Sequence, residues 1–233
     1  NPALSLNRRE KGAFERNILQ KALKIGTPVA VQEIAMSGAQ VASTMIIAPL
    51  GAVAIAAHSF AITAESFCYM PGYGIGSAAT TLVGRSIGAK KDTLARRYGV
   101  ICTVMGAVFM GLTGLFMMFL CPYVFRILTP DPNVRQLAAR VLRIGLLAEP
   151  LYGISIVAAG ALRGTGDTFV PSLMNLGSIW IVRIGLATLL VGPLGLQGVW
   201  IAMATELCVR GRLMLYRHKT TPYYKKTPTA GPL

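Results

Sequence analysis

The sequence predicts an all-α membrane protein, a six-transmembrane-helix bundle, and two observations carry that expectation. Six apolar stretches divide the 233 residues, at about 26–48, 52–83, 98–120, 141–162, 168–191 and 194–216. A hydrocarbon core of about 30 Å is crossed by about 20 mostly apolar helical residues. Five stretches reach that length readily; the last reaches it once its helix is carried past Arg210 and Arg212 to Tyr216, with both side chains snorkelling to the interface. The second observation is where the charge sits. Of the 23 Lys and Arg residues, 18 lie in the two terminal segments and in every second connection. Basic connections stay on the cytoplasmic side. An even number of crossings then puts both termini in the cytoplasm of a multi-pass inner (plasma) membrane protein.

Taken in order, residues 1–25 read as a cytoplasmic linker. Charged positions alternate with Phe14, Ile18, Leu19, Ala22 and Leu23 at helical spacing, as in an amphipathic helix lying on a membrane surface. Pro49-Leu50-Gly51 joins the first two spans and Gly192-Pro193-Leu194-Gly195 the last two, both with the composition of a tight turn. The connection after the second span is basic, with Arg85, Lys90, Lys91, Arg96 and Arg97. That after the third, 121–135, reads as a longer loop in which Thr129-Pro130-Asp131-Pro132-Asn133 starts a helix. The segment 218–233 is polar and Pro-rich, the composition of a disordered tail. The chain starts with Asn and has no cleavable signal in view, which points to a piece of a longer protein.

Three prolines within spans, Pro28, Pro71 and Pro150, each remove a backbone donor and are the expected helix breaks. In lipid a freed carbonyl must be satisfied by protein or cavity water, so such breaks face an interior. Gly72 and Gly76, Gly84 and Gly88, and Gly160 and Gly164 repeat at the four-residue spacing of close helix packing.

Charge and cysteine usage exclude several classes. The net charge of +14 is accounted for by topology, so no nucleic-acid partner is expected; the bilayer is the partner instead. Cys68, Cys102, Cys121 and Cys208 are isolated, without the pairing of a zinc site or a disulfide framework. No nucleophile–base pair or metal-ligand spacing is present, so neither an enzyme nor a bound cofactor or metal is expected.

The remaining signal is charge inside the spans, where ionisable groups are costly and by default line a cavity, a relay or a substrate path. Glu33, Glu65 and Glu149 are the candidates for ion coupling or substrate binding. Gln32, Met36, Gln40, Phe67, Met70, Tyr152 and Arg183 are candidates for the cavity wall, the apolar members suiting flat organic cations. Each acid also has a purely structural reading. Glu33 could bond Gln32 or Gln40, Glu65 could pair with Arg183, and Glu149 could be satisfied at the Pro150 break. Glu206 stands four residues before Arg210, the spacing of an interfacial ion pair, and His58 reads as a packed helix residue.

Three segments in order resemble one family: MPGYGIGSAATTLVGRSIGAKK (70–91), GALRGTGDTFVP (160–171) and WIVRIGLATLLVGPLGLQGVWIAMATELCVR (180–210). They resemble the C-terminal six-helix lobe of multidrug and toxic compound extrusion (MATE) transporters, most nearly the bacterial DinF-like branch. The resemblance implies one lobe of a twelve-helix transporter whose N-terminal six-helix lobe is the missing partner. It also implies export of hydrophobic, cationic compounds in exchange for H⁺ or Na⁺, with the lobes rocking about a central cavity. In the sodium-coupled branch an acid stands in the first helix of this lobe, near Met36 here, and its partner near Tyr152; neither position is acidic in this chain. In the DinF-like branch the proton-coupling acid belongs to the other lobe.

Two other functions are distinguishable. A lipid-linked oligosaccharide flippase of the same superfamily wants a strongly cationic cavity, whereas the spans offer one buried Arg against several acids. A non-transporting scaffold or receptor subunit predicts that Glu33, Glu65 and Glu149 can all become Gln without effect.

Overall fold

A computed structural model describes residues 16–220, and these are almost wholly helical, without a strand among them. Helix α1 (Arg16–Ile47) runs unbroken through Pro28. A 3₁₀ turn (Ala48–Leu50) and Gly51 then reverse the chain; Gly51 sits at φ 91°, where a side chain would be strained. Helices α2 (Ala52–Gly88) and α3 (Asp92–Leu128) follow, joined by a turn in which the Lys91 amide donates to the Ser86 carbonyl at 2.9 Å. Asp131 caps α4 (Pro132–Leu146) by accepting from the Asn133 amide at 2.8 Å, with Pro132 at the helix start where no donor is needed. Two residues later α5 (Glu149–Gly164) begins, bent 55° from α4. The next span is α6 (Phe169–Gly177), a π segment (Ser178–Ile184) and α7 (Gly185–Leu194), and α8 (Leu196–Thr220) ends the description.

Several expectations are corrected here. The 121–135 loop is mostly helix, because α3 carries Cys121 and Phe125 into the core against α4 and does not end until Leu128. Pro28 and Pro71 do not break their helices, since a proline frees only one carbonyl and leaves the rest of the ladder standing. The break near Pro150 falls at Leu147 and Ala148, and Pro150 itself lies in the first turn of α5, a position that suits it. The linker expected over 1–25 and the tail over 218–233 lie largely outside the described residues; within them, α1 is already continuous from Arg16 and α8 runs to Thr220.

By length and composition, α2, α3 and the Phe169–Leu194 run are apolar enough to cross a membrane, and α4 with α5 qualifies as one broken span. Helix α3 turns Ile101, Val104, Val108, Leu112, Phe116 and Phe119 outward at helical spacing, the apolar face that a water-soluble surface would not expose. Helices α1 and α8 fall below that measure because they carry Gln32, Glu33 and Gln40, and Glu206, Arg210 and Arg212.

The core of the bundle is α2, α3 and α5, brought together by glycine. A Cβ on Gly160 would collide with the Gly76 carbonyl oxygen, and one on Gly153 would lie 2.6 Å from that of Gly106. Thr80 Oγ1 donates across this seam to the Gly160 carbonyl at 2.8 Å. At one end of the bundle, Arg217 of α8 grips Asp167 in the α5–α6 turn through both Nε (3.2 Å) and Nη2 (2.7 Å).

Candidate functional site

Helix α1 leans on α6 and the π segment and barely meets α2, which leaves space between α1, α2, α5 and α8. A chamber of about 390 Å³ opens there, lined among others by Gln32, Glu33, Met36, Tyr73, Thr80, Tyr152, Arg163, Asn175 and Arg210. A second, of about 270 Å³, is lined by Met36, Gln40, Glu65, Tyr69, Tyr73, Tyr152, Arg183 and Arg210 among others. Met36, Tyr73, Tyr152 and Arg210 belong to both, so the chambers adjoin across a shared wall.

That wall is built from the middle of the helices. Glu206 is wholly buried and forms ion pairs with Arg210, whose Nε lies 3.1 Å from Oε1, and with Arg183, whose Nη2 lies 3.3 Å from Oε2, while Ser178 Oγ donates to Oε1 at 2.9 Å. The π segment supplies both Ser178 and Arg183 to this cluster. Arg210 also lies over the Tyr152 ring, 5.1 Å from its centroid. Tyr152 meets Tyr69 edge to face at 5.7 Å, and its hydroxyl lies 3.4 Å from that of Tyr73. The interfacial Glu206–Arg210 pair expected from the sequence is therefore a buried three-member cluster, and Arg210 is packed inside instead of snorkelling. Its third member, Arg183, pairs with Glu206 and not with Glu65.

The acids are separated by burial. Glu65 lines the smaller chamber and is 5 % exposed, with Oε1 lacking a hydrogen-bond partner. Glu33 lines the larger chamber and is exposed; no hydrogen bond joins it to Gln32, whose amide donates to Met36 Sδ at 3.6 Å. Glu149 is 1 % exposed, lines neither chamber and packs against Gly114, with both carboxylate oxygens unpartnered. An unpaired buried carboxylate is costly, so a proton, a cation or a mobile partner is the chemistry Glu65 and Glu149 invite.

Of the remaining candidates, Gln32, Met36, Gln40, Tyr152 and Arg183 lie on the chambers, whereas Phe67 and Met70 point away from them and are 70 % and 63 % exposed. Met36 and Tyr152, where the sodium-coupled pattern would have acids, share one wall. Tyr73, Arg163, Asn175 and Arg210 are cavity residues that sequence reasoning missed. A polar stripe on α2, Glu65-Tyr69-Tyr73-Ser77, was the signal for Tyr73. The cavity carries three guanidinium groups, Arg163, Arg183 and Arg210, where counting within spans gave one. By sequence position alone, Arg163 falls in the connection after the fourth span and Arg210 at the end of the last.

Comparison with known proteins agrees with this architecture. A family model described as MatE matches residues 28–189. A probable multidrug resistance protein NorM from Thermotoga maritima is 34 % identical over 202 residues, covering 84 % of this chain and 43 % of the relative. A similarly described protein from Mannheimia succiniciproducens is 28 % identical over 224 residues, covering 91 % and 48 %. The chain spans about half the length of these relatives. In three dimensions it is similar to the Vibrio cholerae MATE transporter VcmN in its bent form, with a TM-score of 0.83, 17 % identity and coverage of 91 % and 49 %. It is also similar to a MOP superfamily transporter from Pyrococcus furiosus, with a TM-score of 0.79, 20 % identity and coverage of 89 % and 47 %. At these identities the structures speak for the fold.

Proposed function

This chain belongs to the MatE family, and from that premise we propose that it is the C-terminal six-helix lobe of a multidrug antiporter of the inner membrane. It exports hydrophobic compounds bearing a cationic group in exchange for H⁺ or Na⁺. On this reading α1 and α8 are the first and last of six crossings, their polar faces turned to the cavity, with both termini cytoplasmic. A second, N-terminal lobe closes the cavity from the other side, and the two rock to open it alternately.

The observation that carries the reading is Glu65: a buried carboxylate on the wall of a chamber, with one oxygen unpartnered. Ionised, it binds the cationic group of a substrate; on taking a proton or Na⁺ it releases that group. Competition for one carboxylate couples the two fluxes without any direct contact between ion and substrate. Glu33, exposed at the larger chamber, draws organic cations toward it.

Dye efflux from proteoliposomes holding the complete protein tests this, with the H⁺ and Na⁺ gradients collapsed one at a time. Collapse of one gradient is expected to stop efflux. Efflux that ignores both would sink the antiporter reading.

A further inference from the structure

On the wall of the smaller chamber, two buried polar atoms of opposite charge lack hydrogen-bond partners among the described residues. Glu65 Oε1 on α2 accepts no hydrogen bond, and Arg183 Nε on the π segment donates none. Both side chains line the same space of about 270 Å³. Buried polar atoms left unmatched are costly, and a guanidinium is the group that matches a carboxylate best.

Glu206 is satisfied without Arg183. It is paired with Arg210, whose Nε lies 3.1 Å from Oε1, and it accepts from Ser178 Oγ at 2.9 Å. Arg183 adds one longer contact, 3.3 Å, to the other oxygen. Glu65 and Glu206 face Arg183 and Arg210 two against two, yet both guanidinium groups sit at Glu206. Moving Arg183 to Glu65 leaves each acid with one arginine.

The two arginines are not equally confined. Arg210 is 4 % exposed and lies over the Tyr152 ring, 5.1 Å from its centroid. Arg183 rides on the π segment, which Gly177 and Gly185 bracket. A Cβ at either glycine would meet nothing within 4 Å, so close helix packing does not require them. They supply backbone freedom on each side of a turn already out of α-helical register.

We propose that Arg183 is a tethered cation that exchanges between Glu206 and Glu65, taking Glu65 whenever no organic cation, proton or Na⁺ holds it. With Arg183 on Glu206, as in this structure, Glu65 is open to a cation. The arginine is a built-in competitor: an incoming cation must displace it, and its return drives that cation off. As regulation of transport this rests on the antiporter reading; the exchange itself does not, and it is tested without a gradient.

A double-mutant cycle on the complete purified protein reads the Arg183–Glu65 contact. Thermal midpoints of Glu65→Gln, Arg183→Gln and the double variant are measured in Na⁺-free detergent buffer at alkaline pH, so that neither competing ion holds Glu65. The double variant is expected to fall short of the summed single shifts by about 2 °C or more, because removing either partner forfeits the same contact. Fluorescence titration with ethidium, a flat organic cation, reads the competition. Arg183→Gln is expected to tighten binding about tenfold, the size of one charge-assisted contact no longer displaced. Arg183→Lys keeps the tethered charge and is expected to stay within about twofold of the unsubstituted protein, on the same scale. Additive midpoints overturn the proposal, as does ethidium binding that Arg183→Gln leaves unchanged or weakens. Equal tightening by Arg183→Gln in a Glu65→Gln background assigns the effect to general repulsion and overturns it too. Ion-driven ethidium efflux with additive midpoints keeps the antiporter and removes the exchange. Non-additive midpoints without ion-driven efflux do the reverse.

Discussion

Trp200 of α8 donates its indole N–H to His58 Nδ1 of α2 across 3.2 Å, and the two rings meet edge to face at 5.9 Å. Both side chains are buried, Trp200 completely, so the bond has no water to replace it. It holds the first turns of α8 against the helix that carries Glu65, seven residues from His58 on the same face.

Trp200→Phe removes the donor, shrinks the ring and strands His58 Nδ1. A loss of about 1–3 kcal/mol in stability is expected. Thermal unfolding in detergent reads it, and an unchanged midpoint would show that the bond contributes nothing.

Glu206→Gln leaves buried Arg210 and half-buried Arg183 without the carboxylate they share. Breaking a buried ion pair from one side costs about 3–5 kcal/mol, enough to deplete the folded protein in the membrane. Arg183→Gln keeps the i,i+4 pair and is expected to be milder. Yield of monodisperse protein after size-exclusion chromatography orders the two; the reverse order contradicts the shared-carboxylate description.

Gly160→Ala pushes a methyl group into the Gly76 carbonyl, which belongs to backbone and cannot swing aside. Overpacking of this kind costs about 1–3 kcal/mol. Gly74→Ala, two residues away from Gly76 with nothing within 4 Å of the new atom, is the matched control and should stay within about 0.5 kcal/mol. Equal melting temperatures for the two variants would remove the glycine seam as the cause of the close α2–α5 approach.

The two most buried candidate acids part company in ion coupling. Glu65→Gln is expected to abolish the dependence of efflux on the driving gradient, because the carboxylate it replaces faces a chamber. Glu149→Gln is expected to keep that dependence, since its side chain lies off both chambers against Gly114. Coupled loss in Glu149→Gln and none in Glu65→Gln would exchange their roles.

Apolar length and turn chemistry made most of the fold legible. The turns at Pro49-Leu50-Gly51 and Gly195 and the apolar run of α3 follow from local composition, which one sequence states directly. What escaped was anything set by partners distant in the chain. The stretch 121–135 suggests a loop because nothing local says that Cys121 and Phe125 pack on α4. Glu206 and Arg210 were visible as a pair through their spacing. Their burial, and the arrival of Arg183 from the preceding span, depend on how α8 docks on the π segment. Glu33 and Glu149 looked equivalent as acids within spans, yet one is exposed at a chamber and the other sealed away from it.

Among the described residues, the π segment gives the Phe169–Leu194 run a property no other stretch shares. Each residue of an α-helix turns the chain by about 100°, so deleting one residue re-aims everything beyond it. Wider winding over Ser178–Ile184 is a phase shift stored inside a lipid-crossing rod. Drop one residue there and the rod can tighten into an ordinary helix that still spans and keeps the faces of both flanks, because the wide turn had absorbed the extra residue. The same loss in a regular stretch would swing every residue beyond it by about 100°, with no change in composition to give warning.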